Sequence, residues 1–189
     1  MLNLVWKTYH FSAKSARDLK ALVGELGVNV LKPTQVSGTR WLPHVSRALK
    51  VFIKPGQSKT PDDITGQYAV VVYHMDHLSA SSNIADIKGR AKYIAKRMRD
   101  IQFAAFCHFL ADMFTILGRL SLKMQSDSLI LPAAVSQLKE TVAEISSLKN
   151  RHVPKGHFQQ FEAVLSKSDD KGGMEISRDP NGRKSRGKS

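Results

Sequence analysis

Few residues in this sequence are of the types that do chemistry, and two histidines are the first candidates. His74 and His77 are three residues apart, with Asp76 between them. On a helix this spacing places the two imidazoles within about one turn of each other, where they can share a metal ion. A zinc site in a protein needs at least a third protein ligand, and the sequence indicates none. We therefore expect no metal site.

The single cysteine, Cys107, is followed directly by His108. One cysteine excludes an internal disulfide and a zinc site built from several cysteines. A thiolate nucleophile needs a base beside it in space. Because consecutive residues on a helix diverge by about 100°, His108 is not placed to be that base. Cys107 is therefore expected to pack in the core.

The carboxylates are too scattered for phosphoryl-transfer chemistry. Two-metal catalysis needs carboxylates that converge on ions roughly 4 Å apart, whereas the acidic pairs here, Asp62-Asp63 and Asp169-Asp170, fall in a predicted loop and near the chain end. Asp112 lies in an apolar helix and is expected to accept a hydrogen bond or to face a neighbouring helix. The GxxxxGK, GxGxxG and GxSxG motifs are also missing. We predict no catalytic centre, no cofactor and no small-molecule substrate.

Arg40 and Trp41 are candidates for a contact with nucleic acid. They follow Gly38 in a predicted turn and stand at the start of a predicted helix. A guanidinium can pair with a phosphate through two hydrogen bonds, and an indole can stack on an unpaired base. The alternative is that Trp41 anchors the core with Arg40 at its rim, because bulky aromatic side chains are usually buried.

The charge balance is the strongest compositional signal. The sequence has 29 Lys and Arg against 16 Asp and Glu, a formal net charge of +13 and an isoelectric point near 10. Basic side chains that neutralise phosphates release condensed counterions, so this balance favours polyanionic partners such as DNA. The basic residues that share one predicted helix face are Lys88, Lys92, Lys96 and Arg99. The alternative is a protein that is merely basic.

These candidates must be positioned by helices, because apolar residues recur at three- and four-residue spacing through most of the chain. The run Val70–Val72 by itself favours a strand, but Val71, Met75 and Leu78 share one helical face and no partner strand is evident. The fold class is therefore predicted to be all-α, a bundle of long helices. After an opening segment that resembles a helix already under way, the predicted helices cover Ser12–Leu26, Trp41–Ile53, Tyr68–Leu78, Ile84–Met124, a segment that begins near Pro132, and Phe158–Leu165.

Several details of these helices can also be predicted. Ser12 should cap its helix and Gly27 should end it. Ile84–Met124 is expected to be one continuous helix, apolar almost all round after Phe103 and therefore buried. In the helix that follows, the segment from Glu140 to Glu144 should lie outside, while the inward stripe comprises Val135, Leu138, Val142, Ile145 and Leu148.

The chain divides into a predicted helical domain, residues 1–165, and a predicted flexible basic tail, residues 166–189. The tail ends in the basic run Arg183–Lys188, which is of a type read by nuclear import or able to touch nucleic acid. The alternative is a solvated terminus without function. No run of eighteen apolar residues and no signal-peptide pattern is found. We therefore expect an intracellular protein with no membrane partner.

The run Ser37–His44, which reads SGTRWLPH, resembles the "TRW…H" segment of hAT-superfamily transposases and their domesticated, zinc-finger-type relatives. Further segments are similar to parts of that family: Tyr9–Lys14 before the signature, and Phe106–Met113, Leu120–Gln125 and Leu129–Pro132 after it. The likeness covers roughly residues 4 to 150.

The resemblance implies a position in the helical insertion of an RNase H-like transposase, between the second and third acidic metal ligands. Only Arg40 and Trp41 carry over from the family, as residues that handle flipped or hairpin DNA. The acidic ligands have no counterpart here, so we expect a truncated or decayed, non-catalytic remnant that is nuclear and binds nucleic acid weakly. The alternatives are a helical protein-interaction or homo-oligomerisation module and, third, an active nuclease with a divalent-metal site.

Overall fold

The computed structural model describes residues 1–27, 33, 41–54, 66–126, 130–150 and 152–169, and of Trp41 and residues 167–169 it describes the main chain only. The secondary structure of these residues is entirely helical, which confirms the predicted all-α class. The helices are α1 (Leu2–His10), α2 (Ala13–Glu25), α3 (Trp41–Phe52), α4 (Gln67–Ser81), α5 (Ala85–Met98), α6 (Ile101–Met124), α7 (Leu131–Ser147) and α8 (His157–Asp169).

The ends of α2 follow from its sequence. The Ser12 hydroxyl accepts a hydrogen bond from the Ser15 amide at 3.1 Å and thereby satisfies a donor that has no partner within the helix. At the other end Gly27 adopts a positive φ of 62°, which suits a residue without Cβ. Both predictions are confirmed.

In helix α4 the β propensity of the valines favours a strand, whereas burial of one face favours a helix. Val70, Val71 and Met75 are fully buried, and Leu78 is buried on the same side of the helix. A strand would expose alternate residues on two faces, whereas the helix turns these four side chains into one core. Burial of that face outweighs the β propensity of the valines, which confirms the predicted helix.

The core lies among α1 to α6. Its buried residues come from every one of these helices, with α4 and α5 packed against each other along their lengths. The largest fully buried side chains are Leu49, Met75, Ile94, Ile116 and His74. Helices α7 and α8 pack on α6, which also contacts α3 and α5. α6 therefore links the core to the last two helices.

The predicted continuous helix from Ile84 to Met124 is wrong, because the chain turns between α5 and α6. The carbonyl of Met98 accepts a hydrogen bond from the Tyr68 hydroxyl at 2.6 Å, and the Asp100 carboxylate accepts one from the Gln102 amide at 2.9 Å. The first bond satisfies a carbonyl at the end of α5 and the second caps α6. The end of α5 and the start of α6 thus each have their own polar partner.

The burial predicted for α6 is only partly correct. Cys107, Ala111, Phe114 and Ile116 are buried, but the Phe106 side chain is 53% exposed. In length and composition α6 is also the one helix among the described residues that is apolar enough to cross a membrane. It contacts α3, α5, α7 and α8, and 28% of its most apolar stretch is buried.

Helix α7 is oriented against expectation. Val135, Leu138 and Val142, predicted to point inward, are all exposed. Ile145 and Leu148, also predicted to point inward, are half-buried, and Glu140 is exposed as predicted. Glu144 forms an ion pair with Arg119 of α6 at 2.5 Å. The predicted inward stripe is therefore wrong for Val135, Leu138 and Val142, because it assumed that the whole stripe must face the rest of the same chain.

Helix α8 is attached to α6 through a buried carboxylate. Asp112 is 4% exposed and accepts hydrogen bonds from the amides of His157 at 2.7 Å and Phe158 at 3.0 Å. These amides belong to the first turn of α8, where helices lack intrahelical acceptors. The prediction that Asp112 accepts a hydrogen bond is confirmed. α8 includes the predicted helix Phe158–Leu165 and continues to Asp169.

Several predictions fall on residues that the structure does not describe. These are the turn at Ser37-Gly38, most of the loop between α3 and α4, and all but the start of the basic tail.

Candidate nucleic-acid interface

Helix α5 carries the basic residues singled out from the sequence. One side of it, comprising Ala91, Ile94, Ala95 and Met98, is buried in the core. A helix buried on one side presents the residues about 180° away to solvent. The outward side of α5 is therefore fixed by the packing of its inner side on α4 and α1.

Three lysines follow one another along this outward side. Lys88, Lys92 and Lys96 are all exposed, and none has an ion-pair partner among the described residues. Their four-residue spacing places successive Cα atoms about 6 Å apart along the helix axis. Lysine has a long flexible stem and a point charge, so each ammonium can adjust to a phosphate. The row forms a cationic surface about 12 Å long, a little over two helical turns.

The arginines around α5 are engaged differently, each with an aspartate. Arg90 binds Asp86 one turn earlier at 2.5 Å, and Arg97 approaches Asp100 at 3.5 Å. Arg99, which sequence analysis grouped with the lysines, forms an ion pair with Asp76 of α4. Arg99 thus joins α4 to the end of α5, and the lysines carry the uncompensated charge of this surface.

An exposed tyrosine and a glycine border the lysines. The Tyr93 side chain is 53% exposed and lies one turn from Gly89 and from Lys96 on the helix surface. A Cβ added to Gly89 would meet no atom within 4 Å. We call Lys88, Gly89, Lys92, Tyr93 and Lys96 the α5 face. Sequence reasoning missed Tyr93, because the exposure of its ring is set by how α5 packs.

Of the Arg40-Trp41 pair, Arg40 lies outside the described residues and Trp41 begins α3. The predicted helix start at this position is confirmed. Neither side chain is described, so their predicted contact with nucleic acid stays a prediction, as does the alternative of a core tryptophan.

The cysteine and the two histidines that the sequence offered for chemistry are next. Cys107 is 4% exposed, and burial raises the pKa of its thiol to about 12, which keeps it protonated. The predicted core packing of Cys107 is confirmed. His74 is buried against Tyr9, whose hydroxyl lies 3.0 Å from Nδ1, whereas His77 is exposed. No group of three His, Cys, Asp or Glu side chains that could hold a metal occurs in the described parts of the chain.

A cluster of aromatic side chains lies at the end of α1, apart from Tyr93. The Trp6 ring stacks on His10 with centroids 4.3 Å apart, and Phe11, 72% exposed, packs edge-on against both. Sequence reasoning did not identify it. This cluster has the rings of a stacking platform, but its histidine and tryptophan already stack on each other.

No family model matches the chain, and no solved structure matches it.

Proposed function

We propose that this protein binds nucleic acid through the α5 face and has no catalytic centre of its own. The observation that carries the proposal is the row of three lysines, which have no ion-pair partner in the described parts of the chain, beside an exposed tyrosine. The arginines around the same helix are each paired with an aspartate. The charge left uncompensated on this helix is thus concentrated on one outward surface.

The expected affinity is weak and dominated by charge. Each lysine that neutralises a phosphate releases counterions, so the binding constant should fall steeply as salt rises. Lysine contacts to phosphate carry no sequence information. The α5 face should therefore bind nucleic acids with little sequence preference.

Tyr93 adds a preference for unpaired bases. An aromatic ring that is half exposed beside cations can stack on a base while the lysines hold the flanking phosphates. The bases of a duplex are already stacked on each other and less accessible. We expect single-stranded or hairpin DNA to bind more tightly than duplex DNA of the same length.

The resemblance to hAT transposases supports a related origin for this activity. In this proposal the chain is a transposase-derived, nuclear protein, and Arg40 and Trp41 form a second contact with flipped or hairpin DNA. The basic run Arg183–Lys188 would serve nuclear import. Substitution of Trp41 by alanine should cost more binding free energy for hairpin DNA than it costs free energy of unfolding.

The main test replaces Lys88, Lys92 and Lys96 by alanine together. The matched control replaces three exposed lysines of other helices, Lys14, Lys20 and Lys50. Both variants lower the formal net charge from +13 by three, so they differ only in where the charge is lost. Binding to a fluorescent single-stranded oligonucleotide is measured over a salt series. We expect the slope of log K against log salt to flatten by about 2–3 only in the α5 variant.

Tyr93→Ala tests the stacking contribution, with Tyr73→Ala as its control. Tyr73 is 50% exposed on α4, so both substitutions remove a similarly exposed ring. We expect Tyr93→Ala to weaken single-stranded binding by about 5- to 150-fold, corresponding to about 1–3 kcal/mol, and to leave duplex binding nearly unchanged. Equal losses in the two lysine variants, or binding that is insensitive to salt, would overturn the proposal.

A further inference from the structure

Helix α7 turns its apolar stripe away from the helix on which it packs. Leu131, Val135, Leu138 and Val142 are 77%, 42%, 47% and 63% exposed, and no residue of α7 is buried. We call these four residues the α7 stripe. A surface helix normally does the reverse, because its apolar side is the one that gains from leaving water.

The half-buried residues of α7 include polar side chains that bind α6. Glu144 is bound by Arg119 at 2.5 Å, and Gln137 by Lys123. Thr141 lies between them, half-buried. These contacts run antiparallel along the two helices and hold α7 in one rotation about its own axis. The exposure of the α7 stripe is therefore fixed by partners on a different side of the helix.

The α7 stripe has the spacing of a coiled-coil seam. Its residues are separated by four, three and four positions, and Ile145, which is half-buried, continues the series. In heptad terms Val135 and Val142 occupy the a positions, while Leu131, Leu138 and Ile145 occupy the d positions. Valine at a with leucine at d favours two parallel helices. Such a seam is complementary to a copy of itself, as a two-fold interface requires.

Charge also favours a second copy over the other occupants. The α7 segment Leu131–Ser147 contains one lysine and two glutamates, in a chain of formal charge +13. Two copies that meet at α7 therefore bring few like charges together. Helices that lie on membranes flank their apolar side with several basic residues, and here only Lys139 is available. Nucleic acid would find no cationic row on α7.

We propose that this protein self-associates by pairing α7 with α7 of a second copy, in parallel, through the α7 stripe. Leu122 and Ile130, 72% and 65% exposed at the same end of the α6–α7 hairpin, extend the apolar surface. The helix is about 25 Å long, and one such face buries less than the roughly 1,200 Å² of a standard interface. The dimer is therefore weak and concentration-dependent. It does not depend on the activity proposed for α5.

Sedimentation of the full chain, cleared of nucleic acid by nuclease and high salt, tests the pairing from micromolar to submillimolar concentrations. We expect a reversible monomer–dimer equilibrium that persists at high salt, because apolar contacts are not screened. Leu138→Gln with Val142→Gln should weaken it at least tenfold. The control, Ile84→Gln with Phe106→Gln, removes two apolar side chains that are 59% and 53% exposed elsewhere and should leave dimerisation unchanged.

A cysteine cross-link tests the parallel arrangement. In Leu131→Cys the new thiols of two paired copies would face each other and oxidise to a disulfide-linked dimer. In an antiparallel pair they would lie at opposite ends of α7. Glu140→Cys, on the outer side of the seam, should not cross-link, and native Cys107 is buried in both.

Three results would overturn this proposal. They are a monomer at every concentration, association lost equally in both glutamine variants, and flotation of the chain with phosphatidylcholine vesicles that the α7 glutamine variant abolishes. Association that dissolves in high salt would indicate bridging by residual nucleic acid, which would contradict the α7 pairing while agreeing with the function proposed for α5.

Discussion

Replacement of Asp112 by alanine should lower the free energy of unfolding by about 2–4 kcal/mol, because this carboxylate caps a helix to which it does not belong. It accepts the amides of His157 and Phe158 at 2.7 and 3.0 Å from a position that is 4% exposed. The residue before α8 is Gly156, which has no side chain with which to cap it. Asp112 of α6 supplies the missing acceptor.

The magnitude follows from what the substitution leaves behind. Loss of an N-cap side chain costs about 0.5–2 kcal/mol, and a hydrogen bond to a charged group contributes about 1.5–3 kcal/mol. The favourable interaction of a carboxylate with the start of a helix adds about 0.3–1 kcal/mol. Both amides are in residues that are half-buried, so water can replace part of the loss. For a chain of this length, a loss of 2–4 kcal/mol lowers Tm by about 5–15 °C.

Urea unfolding followed by circular dichroism measures this change, and amide hydrogen exchange locates it. We expect Asp112→Ala to accelerate exchange of the amides in the first turn of α8 more than exchange of the amides in α4, each relative to the unchanged protein. Asp112→Asn keeps one acceptor oxygen and should lose about half as much stability. A loss of less than about 0.5 kcal/mol for the alanine variant would refute the capping role.

Gly156 gives an independent check on the same contact. A Cβ at this position would lie 2.6 Å from Asp112 Oδ2 and 2.8 Å from the Val153 carbonyl oxygen. Gly156→Ala should therefore destabilise the protein by about 1–3 kcal/mol. Gly118→Ala, where a Cβ meets nothing within 4 Å, is the matched control and should not destabilise it. In the Asp112→Ala background the effect of Gly156→Ala should shrink, because one of the two clashes is gone.

Three further predictions concern the core and the α5 face. Burial lowers the pKa of His74 and His108 below 6.5, so the folded state keeps them neutral while the unfolded chain protonates. The free energy of unfolding should thus be full above pH 6.5 and fall below it by up to about 1.4 kcal/mol per pH unit for each histidine. Urea titrations at several pH values should show that this free energy depends less steeply on pH in His74→Gln. An unchanged pH dependence would contradict the prediction. Gly89→Ala should raise stability by about 0.5–1 kcal/mol; if it also weakens oligonucleotide binding, the backbone of α5 approaches the ligand closely. Cys107 should react with iodoacetamide at pH 8 only after denaturation, and rapid labelling of the native protein would show that the thiol is accessible.

Much of the helical architecture was predictable because it depends on local patterns. The three- and four-residue spacing of apolar residues located the helices, and Ser12 and Gly27 marked the ends of α2 through short-range hydrogen bonding and backbone freedom. The turn at Asp100 was missed because the apolar side of α5 continues in phase into α6. Periodicity reports which side is apolar and not whether the axis is continuous.

At the candidate site, too, local spacing was predictable and contacts between helices were not. The sequence identified Lys88, Lys92 and Lys96 as one face, since their spacing alone places them together. It did not separate them from Arg99, because the ion pair with Asp76 joins two helices and depends on how α4 packs on α5. Tyr93 became a candidate only once its ring was found exposed.

His74 and Asp112 were the residues whose chemistry the sequence left most open. Their types and spacing determined that neither had the partners a metal site or a phosphoryl-transfer centre requires. Only the tertiary structure decided what they do instead: His74 meets Tyr9 across 65 positions, and Asp112 caps a helix that begins 45 positions later. A local pattern fixes which side of a helix a residue occupies, whereas the partner on that side is set by packing between segments distant in sequence.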